Sequence, residues 1–260
     1  MKKFVALLLA VLMVASLCAC GQKDTGSDLQ TVTKGKLTMS TNAQFPPYES
    51  VADDGKGYEG TGFEGIDIEI AYALAQKLGL ELVVDDMDFD SALSAVQTGK
   101  SDIVAAGVTV TPERQNTMSF TDSYANGVQV VIVKEGSDIK SIDDLEGKKI
   151  GTQRGTTGFI YCSDDYGDDN VIGFDDGATA VQNLLAGKVD CVVIDNVPAQ
   201  EYVKANAGLT ILDTEYANED YAIGMAKGNT VLVEAVNGAL NELISDGTVQ
   251  SIIDSYITAE

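Results

Sequence analysis

Histidine is absent from this 260-residue chain. That absence removes the commonest metal ligand and the commonest general base. Cationic residues are scarce as well. Seventeen Lys and Arg stand against 40 Asp and Glu, a formal net charge of −23. Without a basic face to neutralise phosphates, nucleic acid is not an expected partner, and electrostatic binding to anionic lipid is excluded on the same ground. The acid surplus favours solubility and says little about fold. The sequence contains neither G-x-S-x-G nor H-E-x-x-H, so two common hydrolase signatures are missing. No metal or cofactor is implied, and no enzymatic activity is expected.

The N-terminus is where long apolar sequence does occur. Lys2 and Lys3 precede a nearly unbroken apolar run, Phe4 to Leu17. The run is short for a membrane span and fits a cleaved export signal. It ends in Leu17-Cys18-Ala19-Cys20, which resembles the bacterial lipobox. Cleavage would leave Cys20 as the first residue, ready for lipidation. Two or more acyl chains hold a protein on a membrane where one holds only marginally. Cys162 and Cys191 then remain, either as a disulfide or as two buried thiols.

Residues 20–35 lack apolar periodicity and are rich in Gly, Ser, Thr and Asp, which predicts a lipidated flexible spacer. Beyond it, short apolar strands alternate with helical patterns, starting with a strand at Lys36–Thr41. Ile66, Ile70, Ala73 and Leu74 share one helix face, closed by Gly79. Asp90 is the predicted cap of a helix that Gly99 ends. Alternation of this kind predicts an α/β fold with mainly parallel sheets. A repeat runs through it. Gly99, Lys100 and Asp102 match Gly187, Lys188 and Asp190, each pair 88 residues apart, between a helix end and a buried strand. The chain therefore reads as two similar lobes. Gly107 and Asp195 fall at equivalent carboxyl ends of strands, where open α/β sheets bind ligands.

Several residues near those ends could hold a ligand. Thr111 and Pro112 suit the start of a short helix that carries Arg114. A guanidinium fork suits a carboxylate, although a surface ion pair would explain Arg114 equally well. Thr109 adds a hydroxyl and Gly107 an unhindered carbonyl. Gly155, Thr156 and Thr157 open a second helix, whose amides could face an anion. Asp195 is either an ammonium ligand or a helix cap. Two other motifs are set aside. Gly60-Thr61-Gly62-Phe63-Glu64-Gly65 spells G-x-G-x-x-G but follows no buried strand. The acidic run Asp164–Asp169 does not fit a calcium loop.

Taken together, Gly62-Phe63-Glu64-Gly65-Ile66-Asp67, Ala106 to Arg114, Ser141 to Lys148, Gly155-Thr156-Thr157-Gly158 and Asp195 resemble the family 3, polar amino-acid-binding solute-binding proteins of bacterial ABC importers. The resemblance covers roughly 36–260, with Gly65 standing where a hydrophobic residue is usual. It implies a type II periplasmic-binding-protein fold. Lobe 1 would be 36–125 plus 216–260 and lobe 2 would be 126–215, hinged near 125 and 215. It implies that Arg114, Thr109, Thr156 and Thr157 hold an α-carboxylate, and that Asp195 and Gly107 hold the α-ammonium. Phe45 and Phe89 would sandwich the side chain. Asn42 matches a position that is Asp in relatives that bind cationic amino acids or glutamine, so a neutral or polar ligand is expected. Arg154 would reach the cleft. The implied partners are a free amino acid, an ABC permease with its ATPase, and the membrane through the lipid, with the protein itself a monomer. The rival expectations are a cyclohexadienyl-dehydratase-like enzyme on the same fold and the ligand-binding subunit of a membrane sensor.

Overall fold

The computed structural model describes residues 29–257. The export signal and Cys20 lie outside the described residues. Residues 29–35 belong to the folded domain rather than to a spacer. Leu29 packs on the first core, and the Val32 amide donates to Asp102 Oδ1 at 2.7 Å.

Two sheets form the body. The first runs, in spatial order, Glu81–Asp86, Lys36–Thr41, Ile103–Val104, Gly224–Ala226, Met118–Phe120. The second runs Val171–Phe174, Ile150–Gln153, Cys191–Asp195, Ala125–Lys134, Leu209–Ile211, with Ala217–Tyr221 also pairing Ala125–Lys134. Each sheet is parallel across its first three strands and antiparallel beyond them. The sheets are therefore mixed rather than mainly parallel. Strands 224–226 and 125–134 enter their sheets in the opposite sense to the parallel strands beside them.

The internal repeat has a structural counterpart. Thr38 N–H donates to Asp102 Oδ2 and Asp102 N–H to Thr38 O, both at 2.8 Å. Lys149 N–H donates to Asp190 Oδ2 and Asp190 N–H to Lys149 O, again at 2.8 Å. Each aspartate thus clips the start of its strand to the neighbouring parallel strand. Gly99 and Gly187 precede it in left-handed conformation, at φ +69° and +72°, where a side chain would be strained.

Strand alternation places the cores. Val130, Ile132, Val192 and Ile194 face one side of the second sheet, while Val131, Val133, Cys191 and Val193 face the other. Burial on both faces explains why these strands read as continuous apolar runs. Cys162 and Cys191 share that second core as free thiols, and burial pushes both up to about 12.

Helix signals are realised with one shift. The Ile66–Leu78 helix closes at Gly79, whose amide donates to Ala75 O and Gln76 O at φ +69°. The next helix begins at Phe89 after Asp88, so Asp90, the predicted cap, sits in its first turn.

The chain passes between the sheets twice, at 121–124 and at 222–223. The return lies later than the expected 215, because Ala217–Tyr221 pairs with Ala125–Lys134 in the second sheet. Tyr124 N–H donates to Tyr221 O at 3.0 Å, which ties the two crossings together.

Candidate functional site

A cleft with about 470 Å³ of empty space lies where the strand ends of both sheets meet. Nine of the ten predicted ligand positions line it: Asn42, Phe45, Phe89, Gly107, Thr109, Arg114, Thr156, Thr157 and Asp195. Arg154 does not. Its guanidinium donates to Gly173 O at 2.6 Å and pairs with Asp175, more than half exposed on the outer face. At the end of strand Ile150–Gln153 successive side chains point in opposite directions, and it is the neighbour Gln153 that faces inward.

Arg114 is fixed locally by its helix. Thr111 Oγ1 caps that helix by accepting from Arg114 N–H at 3.2 Å, with Pro112 in the first turn. Arg114 is 8% exposed. Nη1 donates to Thr109 O at 2.8 Å, and Nη2 crosses the cleft to Gly155 O at 3.1 Å. Its Cζ lies 5.4 Å from the Phe89 ring centroid, within cation–π range. Burial lowers its pKa and the nearby Glu219 carboxylate opposes that shift; the group remains a cation.

Asp195 is both of the things the sequence allowed. It caps the Asn196–Ala205 helix, with Oδ1 accepting from Val197 N–H at 3.2 Å, and it lines the cleft. Oδ2 accepts from Tyr221 OH at 2.6 Å and Val128 N–H at 3.0 Å. Burial pushes the carboxyl up to about 6 despite these donors. Gly107, at φ +54°, is the matching strand end of the other lobe. A Cβ there would come 2.9 Å from the Phe45 ring and 3.3 Å from Tyr221.

Asn42 sits differently from its expected role. Its Nδ2 donates to Met87 O at 3.0 Å, and its Oδ1 accepts from Gln153 Nε2 at 2.9 Å. Asn42 therefore joins the lobes across the cleft. Thr109 and Thr157 hydroxyls meet at 3.4 Å and Tyr202 OH donates to Gln44 O at 3.1 Å, so the lobes touch along the cleft.

Sequence reasoning missed Glu49, Gln129, Gln153, Glu219 and Tyr221, all of which line the cleft. Glu219 and Tyr221 come from the strand Ala217–Tyr221 just before the return crossing, which carries no recognisable motif. Only period-two alternation around residue 153 could have flagged Gln153. Glu219 is buried, with Oε2 accepting from Gln129 Nε2 at 3.0 Å and Oε1 without a partner. Among the described residues no cluster of His, Cys, Asp and Glu could hold a metal ion.

Known proteins similar to this chain are solute-binding proteins. The sequence model for bacterial extracellular solute-binding proteins, family 3, matches residues 37–259. The arginine-binding extracellular protein ArtP of Bacillus subtilis (strain 168) is 33% identical over 270 aligned positions that span both chains fully. The L-cystine-binding protein TcyJ of Escherichia coli (strain K12) is 31% identical over 97% of this chain and 94% of its own. Among solved structures, an ancestral arginine-binding protein bound to glutamine is 39% identical, with a TM-score of 0.80, covering 87% of this chain and all of that one. With a two-lobe fold, a cleft at the meeting strand ends and these relatives, the chain belongs to family 3 of the bacterial extracellular solute-binding proteins, the amino-acid-binding components of ABC transporters.

Proposed function

We propose that the cleft grips a free amino acid by both backbone charges. The Arg114 guanidinium, the Thr109 hydroxyl and the first amides of the Thr157–Tyr166 helix take the carboxylate. Asp195 and the Gly107 carbonyl take the ammonium, and Phe45 and Phe89 enclose the side chain. One observation supports this most: opposite charges, Arg114 from one lobe and Asp195 from the other, line a single cleft. Each lobe supplies part of the contacts, so ligand stabilises the closed form by its differential affinity for it. No bond is made or broken.

The ligand's side chain is cationic in this reading. Three acids line the cleft (Glu49, Asp195 and Glu219) against one base, Arg114. Both Glu49 oxygens and Glu219 Oε1 lack a hydrogen-bond partner. A zwitterion alone leaves Glu219 uncompensated and the Glu49 oxygens unpartnered, whereas a guanidinium or ammonium side chain supplies both a charge and donors. The neutral ligand expected from Asn42 loses its basis, because Asn42 is engaged with Gln153 and Met87. The arginine named for ArtP points the same way, while the ancestral arginine-binding protein was solved with glutamine bound. Thermal melting with arginine, lysine, glutamine and glutamate tests this. Arginine or lysine is expected to raise Tm most, by mass action. A shift with glutamine alone would return the neutral reading.

The protein works as a monomer tethered outside the membrane through lipid on Cys20, handing its ligand to a permease. Palmitate labelling of the cells is expected to mark the wild-type protein and not Cys20→Ser. Equal labelling of both would remove the anchor.

A further inference from the structure

We propose that Glu49 and Asp67 share one proton beneath the cleft, and that a cationic ligand side chain expels it, which makes Glu49 the residue that senses ligand charge. The inference rests on the cationic reading above.

The backbone brings the two carboxyls together. Residues 47 and 48 lie on the first turn of the Ile66–Leu78 helix. Pro47 O accepts from Ile66 N–H at 3.1 Å and Tyr48 O from Asp67 N–H at 2.9 Å. Gly65 permits this approach, since a Cβ there would stand 2.3 Å from Tyr48 O. Glu49 and Asp67 are consequently 0% and 1% exposed. Asp67 Oδ2 accepts from Gly107 N–H at 2.9 Å and from Tyr124 OH at 2.8 Å. Asp67 Oδ1 and both oxygens of Glu49 have no partner that could donate to a carboxylate. Among the described residues no ion pair includes either group.

Two buried anions side by side, one of them with no donor at all, are strongly disfavoured. A carboxylic acid supplies the missing donor. The Tyr48 O to Asp67 N–H bond places Glu49 beside Asp67, so a Glu49 O–H can satisfy the unpartnered Asp67 Oδ1. Asp67 already has two donors and keeps the charge, while Glu49 keeps the proton. The groups facing Glu49 from the surrounding elements are Asp67, Asp86, Tyr48, Tyr124 and Tyr202, with no lysine or arginine among them. Burial first, and then Asp67, holds the Glu49 carboxyl well above the usual range; burial pushes Asp67 up to about 6.

A ligand cation over Glu49 reverses that balance, because an opposite charge favours the ionised form. The proton passes to the solvent. The free protein binds it and the complex does not, so affinity for a cationic ligand falls as pH falls. A neutral side chain leaves the O–H in place. Asp195, raised to about 6, adds its own linkage with every amino acid, since each brings an ammonium group. A neutral ligand is therefore the control.

Calorimetry of arginine and glutamine binding, in phosphate and in Tris at one pH near 7, measures proton release directly. Arginine is expected to release up to about one proton more than glutamine. Glu49→Gln should erase that excess in arginine binding. Asp67→Asn keeps the Glu49 carboxylate and removes the negative neighbour that holds its proton, so release should shrink there too, with arginine still bound. If glutamine does not bind, the two variants with arginine decide. Equal release for both ligands, or release unchanged in both variants, overturns the shared proton alone. Failure of the protein to bind any cationic amino acid overturns the cationic reading and this inference with it.

Discussion

Arg114→Ala is expected to remove amino-acid stabilisation almost completely. Affinity should fall roughly 10²–10³-fold, about 3–4 kcal/mol, the usual cost of leaving one member of a buried charge pair without its partner. Arg114 is 8% exposed and its guanidinium is already directed by Thr109 O and Gly155 O, so little ordering remains to be done when a carboxylate arrives. Arg114→Lys keeps the charge but loses the planar fork, and an intermediate affinity is expected. Because Arg114 also bridges the lobes, circular dichroism must accompany the calorimetry. A folded Arg114→Ala variant with wild-type affinity would defeat the assigned carboxylate clamp.

Gly65→Ala should produce a large loss of stability. The residue sits at φ +129°, where side chains are strained, and its new Cβ would stand 2.3 Å from a backbone oxygen. Neither the Tyr48 carbonyl nor the helix start can yield independently, since Asp67 N–H is bonded to that same carbonyl. Backbone strain of this kind costs about 1–3 kcal/mol before the clash is counted. A drop in Tm of about 6–12 °C is expected for a loss near 3 kcal/mol. An unchanged melt would mean that the segment Tyr48–Glu49 does not rest on the helix start.

Much of this arrangement was legible in the sequence, and the parts that were not share a cause. Gly99 and Gly187 with their aspartates announced two matching strand starts, because each needs a left-handed glycine and a local carboxylate to clip the next strand. Arg114 was legible because Thr111 and Pro112 mark a helix start. Asp195 left two roles open and fills both positions. What stayed hidden depends on long-range contact. Glu219 and Tyr221 reach the cleft only because the strand Ala217–Tyr221 pairs with Ala125–Lys134. Glu49 looks like an ordinary loop acid until Gly65 lets it rest beside Asp67. Arg154 misled because charge drew attention, whereas direction on the strand favoured the uncharged Gln153. Asn42 was read as a ligand contact, and only the facing lobe reveals Gln153 as its partner.

The order in which the two halves can be completed follows from the two crossings. Every strand of the second sheet lies between residues 125 and 221, one uninterrupted stretch of polypeptide. The first sheet is finished only when Gly224–Ala226 slides between Ile103–Val104 and Met118–Phe120. During synthesis or translocation, where chains emerge N-terminus first, the later-encoded lobe can therefore mature before the earlier one. A nascent chain stopped near residue 222 would hold a complete half joined to one whose Met118–Phe120 strand has no neighbour.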